Sequence, residues 1–169
     1  MTKFAAVFID EENIYKWLEK RNKSPELAIN KYFNVHELIE LLSTKGYVIS
    51  KAVCYIAPKG LKKYVVQDMY ELGFQVIPAS RYDYTNENGR PDSKSLLDSM
   101  LIVDALATAY ELKHISTFVI VSGDKDFYPL AIKLRELGKE VIFIGPQDES
   151  ANILIKNFEF HDISRFINL

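Results

Sequence analysis

One cysteine, Cys54, stands in 169 residues, which excludes an internal disulfide framework and any site built from several thiolates. The three histidines, His36, His114 and His161, are scattered and offer neither an imidazole cluster nor a catalytic pairing. Seven Gly and six Pro are too few for a collagenous or low-complexity chain. Neither G-x-G-x-x-G nor G-x-x-x-x-G-K-[ST] occurs, so no glycine loop is available to cradle a nucleotide phosphate. Charge of one sign is also missing: 21 Lys and Arg against 23 Asp and Glu leave a formal −2. That balance does not suit a protein that coats nucleic acid by bulk electrostatics, which needs a basic excess. No apolar run approaches the ~18 residues of a membrane span. The start, MTKFAAVFID, is too short in its apolar part and carries charge on both sides, unlike a signal peptide. The expectation is a cytoplasmic protein with its thiol reduced, folded as a single domain over 1–169.

What is present is ordinary globular material: 48% hydrophobic and 26% charged residues, in a chain long enough to hide roughly 70% of its unfolded surface. KFAAVFI (3–9) is an unbroken apolar run of the kind found in strands covered on both faces. A charged stretch with Trp17 and Leu18 reads as the first helix, and 22–34 as a polar outward loop. Leu38, Ile39, Leu41 and Leu42 have helical spacing, closed by Gly46. Strands follow over 48–56 and 74–78, separated by a turn at Pro58 and Gly60 and a helix over 61–72. Residues 79–92, with Asn86, Asn88, Gly89 and Pro91, read as a long irregular loop, a kind of segment that is often functional. The longest helix is expected over 95–112, then a strand over 117–122, a helix over 127–137, a strand over 140–145 and a short helix from about 150. Alternating strands and helices imply parallel strands with right-handed crossovers, hence a three-layer α/β sandwich with a central, mostly parallel sheet. Ligands in such sheets bind beyond the carboxyl ends of the strands, where strand order reverses.

Two strands end in acid. The first gives Phe8-Ile9-Asp10-Glu11-Glu12-Asn13, and the later one Ser122-Gly123-Asp124-Lys125-Asp126-Phe127. If those strands are neighbours, Asp10 and Asp124 open into one crevice. The long helix adds Asp98 and Asp104, the latter among Leu101, Ile102, Val103, Ala105 and Leu106, where an unpaired carboxylate is costly. Hard Mg²⁺ or Mn²⁺ is the natural compensator for such a carboxylate set. Six residues along a helix turn ~240° and rise ~9 Å, so Asp98 and Asp104 cannot share a face. Asp98 can join the crevice only from the helix end or from behind the ligands. Each acid also has a plainer role: Asp10 and Asp126 as helix caps, Ser95-x-x-Asp98 as a capping box, and Asp104 as a salt-bridged core acid. Ser122 can hydrogen-bond a carboxylate or phosphate, and Gly123 lets the backbone pass close to a ligand.

FIDEENIY, the helix with Asp98 and Asp104, and VIVSGDKDFYPLAIKLRELGKEVIFIG together resemble the NYN domain family of PIN-like nucleases, and within it the LabA-like branch (DUF88). The resemblance spans nearly the whole chain, and its SGDKDF segment is specific. It implies a PIN-like fold whose acids bind Mg²⁺ or Mn²⁺ and cleave RNA, leaving 5′-phosphate and 3′-hydroxyl ends. By motif, Asp10 and Asn13 match the first-strand element, Asp104 the helix acid, and Asp124 and Asp126 the segment after the later strand. Asp98 matches a further acid that usually follows Lys-Gly-x. Here Ser95-Leu96-Leu97 precede it, with Lys94 one position further off.

The function expected is therefore a metal-dependent ribonuclease in which Asp10, Asp104, Asp124 and Asp126 hold the ion. Asn13, Asp98, Ser122, Gly123, Arg81, Arg90 and Lys94 would stand behind the ligands or on the substrate. Lys59, Lys62 and Lys63 are further rim candidates, and Arg81, Tyr82, Tyr84 and Arg90 suit unpaired RNA bases. The alternative is a regulatory RNA- or protein-binding domain that keeps the fold with little turnover. An aspartyl-nucleophile phosphatase would need Asp two residues after Asp10, and Glu12 is there instead. A homodimer suits a domain of this size, but no residue pattern specifies one.

Overall fold

Hydrophobic residues on both sides of Lys3–Asp10 make that strand (β1) the middle of the molecule, with every side chain from Ala5 to Asp10 buried. A computed structural model of the chain describes residues 1–21, 23, 29–58 and 63–168. After β1 come α1 (Glu11–Lys20), α2 (Ile29–Tyr32), α3 (Val35–Thr44), β2 (Tyr47–Ile56), α4 (Lys63–Glu71) and β3 (Gln75–Pro78). An antiparallel pair, β4 (Arg81–Thr85) and β5 (Pro91–Ser95), precedes α5 (Leu97–Glu111). The chain closes with β6 (Ile115–Val121), α6 (Tyr128–Glu136), β7 (Glu140–Gly145), α7 (Asn152–Asn157) and β8 (Glu159–Asp162).

The main sheet has six parallel strands in the order β3-β2-β1-β6-β7-β8. From β1 the chain first builds outward through β2 to β3, then returns to build the other side through β6, β7 and β8. The order therefore reverses between β1 and β6, and a crevice opens beyond their carboxyl ends. One face of the sheet packs Ala5, Val7 and Ile9 against α1, α3 and α4. The other packs Ala6 and Phe8 against Leu97, Leu101 and Ala105 of α5 and Leu130 and Leu134 of α6. Strand alternation puts Asp10 on the Ala6 and Phe8 face, so it looks toward α5. The expected α/β sandwich, with helices on both faces of a parallel sheet, is the fold found.

Three local expectations are corrected. Residues 79–92 are no irregular loop: Arg81↔Ser95 through Thr85↔Pro91 pair as a hairpin. Gly89 at φ +71 and the Asn86 carboxamide, which accepts from the Asn88 and Arg90 amides, close its turn. Alternation without an apolar face hid the strands from a hydrophobic reading. The outward loop after α1 is also wrong where the structure describes it, since Ile29, Tyr32 and Phe33 are buried around α2. Helix α5 starts at Leu97 rather than Ser95, and no capping box forms; the Ser95 hydroxyl accepts from the Leu97 amide instead. Lys59, Gly60, Lys62 and the rest of 22–28 except Lys23 lie outside the described residues, as does the start of the helix expected from 61.

Candidate metal centre

Asp10 ends β1 and caps α1, its carboxylate accepting from the Asn13 amide at 3.1 Å. Its other oxygen accepts from the Ser122 hydroxyl at 2.9 Å, and that hydroxyl accepts from the Asp124 amide at 3.2 Å. The Asn13 side chain accepts from the Gly123 amide at 3.0 Å. These bonds stitch the end of β1 to the end of β6, so the two acidic turns are fixed relative to each other. Asp124 then caps the tight turn Lys125–Phe127 by accepting from the Asp126 amide at 2.9 Å. Capping thus falls to Asp124, not to Asp126.

A cleft of about 410 Å³ opens over these turns, lined by Asp10, Glu12, Asn13 and Lys16 from the β1–α1 side. Arg81, Ser93, Lys94 and Ser95 line it from the hairpin, and Asp98 and Asp124 complete it. Among the described residues, Asp98, Asp124 and Asp126 each offer a carboxylate oxygen, and the three lie within 4.8 Å of one another. Side-chain rotations that draw these oxygens together would let the trio hold one ion. Three hard oxygens with no soft ligand nearby suit Mg²⁺ or Mn²⁺.

The electrostatics record the crowding. Burial, then the charge of Asp98, pushes the Asp10 carboxyl up to about 7. Asp98 rises to about 6 through burial and the charges of Asp124 and Asp126. Glu12 moves the other way: burial opposes its ionisation, but the ion pair with Lys16 at 2.7 Å prevails. Fixed like charges of this kind lose their mutual cost when a dication sits among them.

Asp104 stands elsewhere. Its carboxylate accepts from the Tyr55 hydroxyl at 2.5 Å, and it is neither in the acidic trio nor on the cleft lining. Burial and this bond raise the Tyr55 hydroxyl well above the ordinary tyrosine range. The two α5 acids share no helix face, and the structure turns Asp98 to the crevice, from the helix end. Gly123 is also differently used: a Cβ there would come 2.0 Å from the Ser150 hydroxyl, so the space is filled by the protein's own loop rather than a ligand. Arg90 sits in the hairpin turn, away from the cleft lining, whereas Arg81 and Lys94 belong to that lining. Glu12 and Lys16 were not among the expected site residues. Their spacing on α1 was the available signal, since Lys16 is a helix neighbour of both Glu12 (i,i+4) and Asn13 (i,i+3).

A family model, the NYN domain, matches residues 4–164. The chain belongs to the NYN domain family. No curated protein matches it. Among solved structures it is similar to a protein of unknown function from Vibrio parahaemolyticus, at 20% sequence identity and a TM-score of 0.75. That likeness covers 99% of this chain and 97% of the other, and it carries the fold alone. The α/β architecture is thus shared over essentially the full length of this NYN domain, and a nuclease is what the NYN family implies. No helix among the described residues is long and apolar enough to cross a membrane.

Proposed function

We propose that this NYN domain is a ribonuclease dependent on Mg²⁺ or Mn²⁺, acting on single-stranded RNA. The observation that carries the reading is the convergence of Asp98, Asp124 and Asp126 within 4.8 Å, beside buried Asp10, at the point where strand order reverses. Asp98, Asp124 and Asp126 would hold the ion, with Asp10 beside them. When bound, such an ion activates water and stabilises charge on a phosphoryl oxygen. Ser122 and the Asn13 amide fix the orientation of the Asp10 carboxylate, and Asn13 locks the Gly123 backbone that carries Asp124. Arg81, Lys94 and Lys16 supply positive charge along the walls of the cleft, where phosphates flanking the scissile bond would lie. Charge-assisted contacts of this kind position a backbone without reading its sequence.

The test is Mn²⁺-dependent cleavage of single-stranded RNA by the wild type and by Asp10→Asn and Asp124→Asn. Both variants are expected to lose at least ~100-fold, since each disturbs charge at the reacting phosphate. Equal cleavage by all three would show a contaminating enzyme and end the proposal. Absence of cleavage alongside retained metal binding would favour the regulatory alternative.

A further inference from the structure

The hairpin of β4 and β5 contributes no apolar residue to either core, and all five residues of β4 are exposed. A two-stranded hairpin without a hydrophobic face is marginal on its own, yet this one is anchored at its base. Ser80 accepts from the Leu96 amide and Ile56 from the Ala79 amide, tying the hairpin to the carboxyl edge of the sheet. Arg81 braces it from within, donating to the Ser93 hydroxyl at 2.9 Å. Ser95, its last residue, lies three positions before Asp98.

Alternation gives the hairpin two distinct faces. One carries Arg81, Ser93 and Ser95, which line the acidic cleft. The other carries Tyr82 and Tyr84, with Lys94 directly across from Tyr82. The two rings are 60% and 39% exposed, nearly parallel at 11°, with centroids 6.2 Å apart. Lys94 also lines the cleft, so the face that carries the two rings, and Asp92 against the Tyr84 hydroxyl, meets the carboxylate site at Lys94.

We infer that the β4–β5 hairpin is a single-strand arm, with Tyr82 and Tyr84 stacking unpaired bases of an RNA whose backbone passes Lys94 and Arg81 into the cleft. The inference rests on the ribonuclease reading and specifies how its substrate is held. Residues 81–95 include no Ala, Val, Leu, Ile, Met or Phe, so the two tyrosine rings stand among polar and charged neighbours rather than in an aliphatic patch. Their three cations, Arg81, Arg90 and Lys94, are matched by Asp83, Glu87 and Asp92. Net charge therefore contributes little, and ring stacking must supply the hold. Stacking needs a bared base face, which a duplex hides and a single strand offers regardless of sequence.

The test is fluorescence anisotropy of a labelled, mixed-sequence single-stranded RNA 12-mer in EDTA, where neither metal nor cleavage enters. Tyr82→Ala/Tyr84→Ala is expected to weaken binding at least ~10-fold, and Tyr82→Phe/Tyr84→Phe to stay within about twofold of wild type. The wild type should bind the same sequence as a duplex far more weakly. Unchanged affinity in the double alanine variant, or duplex binding as tight as single-strand binding, would overturn the inference. Tyrosine-dependent binding without any Mn²⁺-dependent cleavage would reject the ribonuclease reading and leave the arm standing.

Discussion

Asp98 and Asp104 stand on the same helix and serve different neighbours, one an acidic cleft and the other a tyrosine. Removing each should therefore produce opposite phenotypes. Asp104→Ala strands the buried Tyr55 hydroxyl, and a lost hydrogen bond to a charged acceptor costs about 1.5–3 kcal/mol. Denaturant unfolding should report that loss, while Mn²⁺ affinity measured by calorimetry stays close to wild type. Asp98→Asn should do the reverse, abolishing metal affinity while relieving repulsion in the metal-free protein. The pH dependence follows with its sign. Asp10 and Asp98 ionise near 7 and 6 in the folded chain against an ordinary 3.8. Their contribution to stability is full below 3.8 and is lost as pH rises through those folded values. Metal-free Asp98→Asn should accordingly gain melting temperature over wild type at pH 8 and lose that advantage at pH 4. Ions compete with protons for the same oxygens, so Mn²⁺ affinity of the wild type should fall as pH drops below about 6, where Asp98 holds its proton. A pH-independent affinity between 5 and 8 would contradict this.

At the scale of elements, turns rather than helices or strands set the site. The turn after β6 must accept Ser150 where a side chain on residue 123 would be, and Gly145 leaves room on the neighbouring strand, its own Cβ position being 2.9 Å from the same hydroxyl. Gly123→Ala should cost about 1–3 kcal/mol through this overlap, read by thermal unfolding, and Ser150→Gly in the same chain should recover most of it. A glycine kept only for backbone freedom would show no such rescue. Helices and parallel strands were legible because their apolar periods are strong, and Gly46 marked a helix end that the structure confirms with φ of 80°. The hairpin was not, because its alternation is between polar residue types and buries nothing. Its only signal was the five-residue Asn86–Arg90 turn with Gly89. The buried turn around Ile29 and Tyr32 was missed for a related reason: four residues are too few to display a period, and their burial comes from contacts far away in sequence.

For the whole molecule, the parallel sheet gathers negative charge at one point, only part of which the protein offsets, through the Lys16 ion pair with Glu12. Asp10, Glu12, Asp98 and Asp124 share one cleft, with Asp126 at its side. A dication bound there stabilises only the folded chain, because the unfolded chain does not hold these residues together. At an ion concentration 100 times its dissociation constant, the gain is about 2.7 kcal/mol, or roughly 5–11 °C in melting temperature for a domain of this length. Differential scanning calorimetry with and without Mn²⁺ should show that shift in wild type and none in Asp124→Asn. An equal shift in both would place the ion elsewhere.

The sequence by itself determined the alternating strands and helices, the parallel sheet they require, and the acids at the ends of the first and sixth strands. Those features are local: an apolar period, a glycine stop, an aspartate after a buried run. Helix geometry also established that Asp98 and Asp104 could not share one helix face. Which of them reaches the crevice was decided only by tertiary structure, because the answer depends on how α5 is rotated against the sheet. Its packed face of Leu97, Leu101, Ala105 and Ala109 sets that rotation, turning Asp98 toward Asp124 and leaving Asp104 to Tyr55.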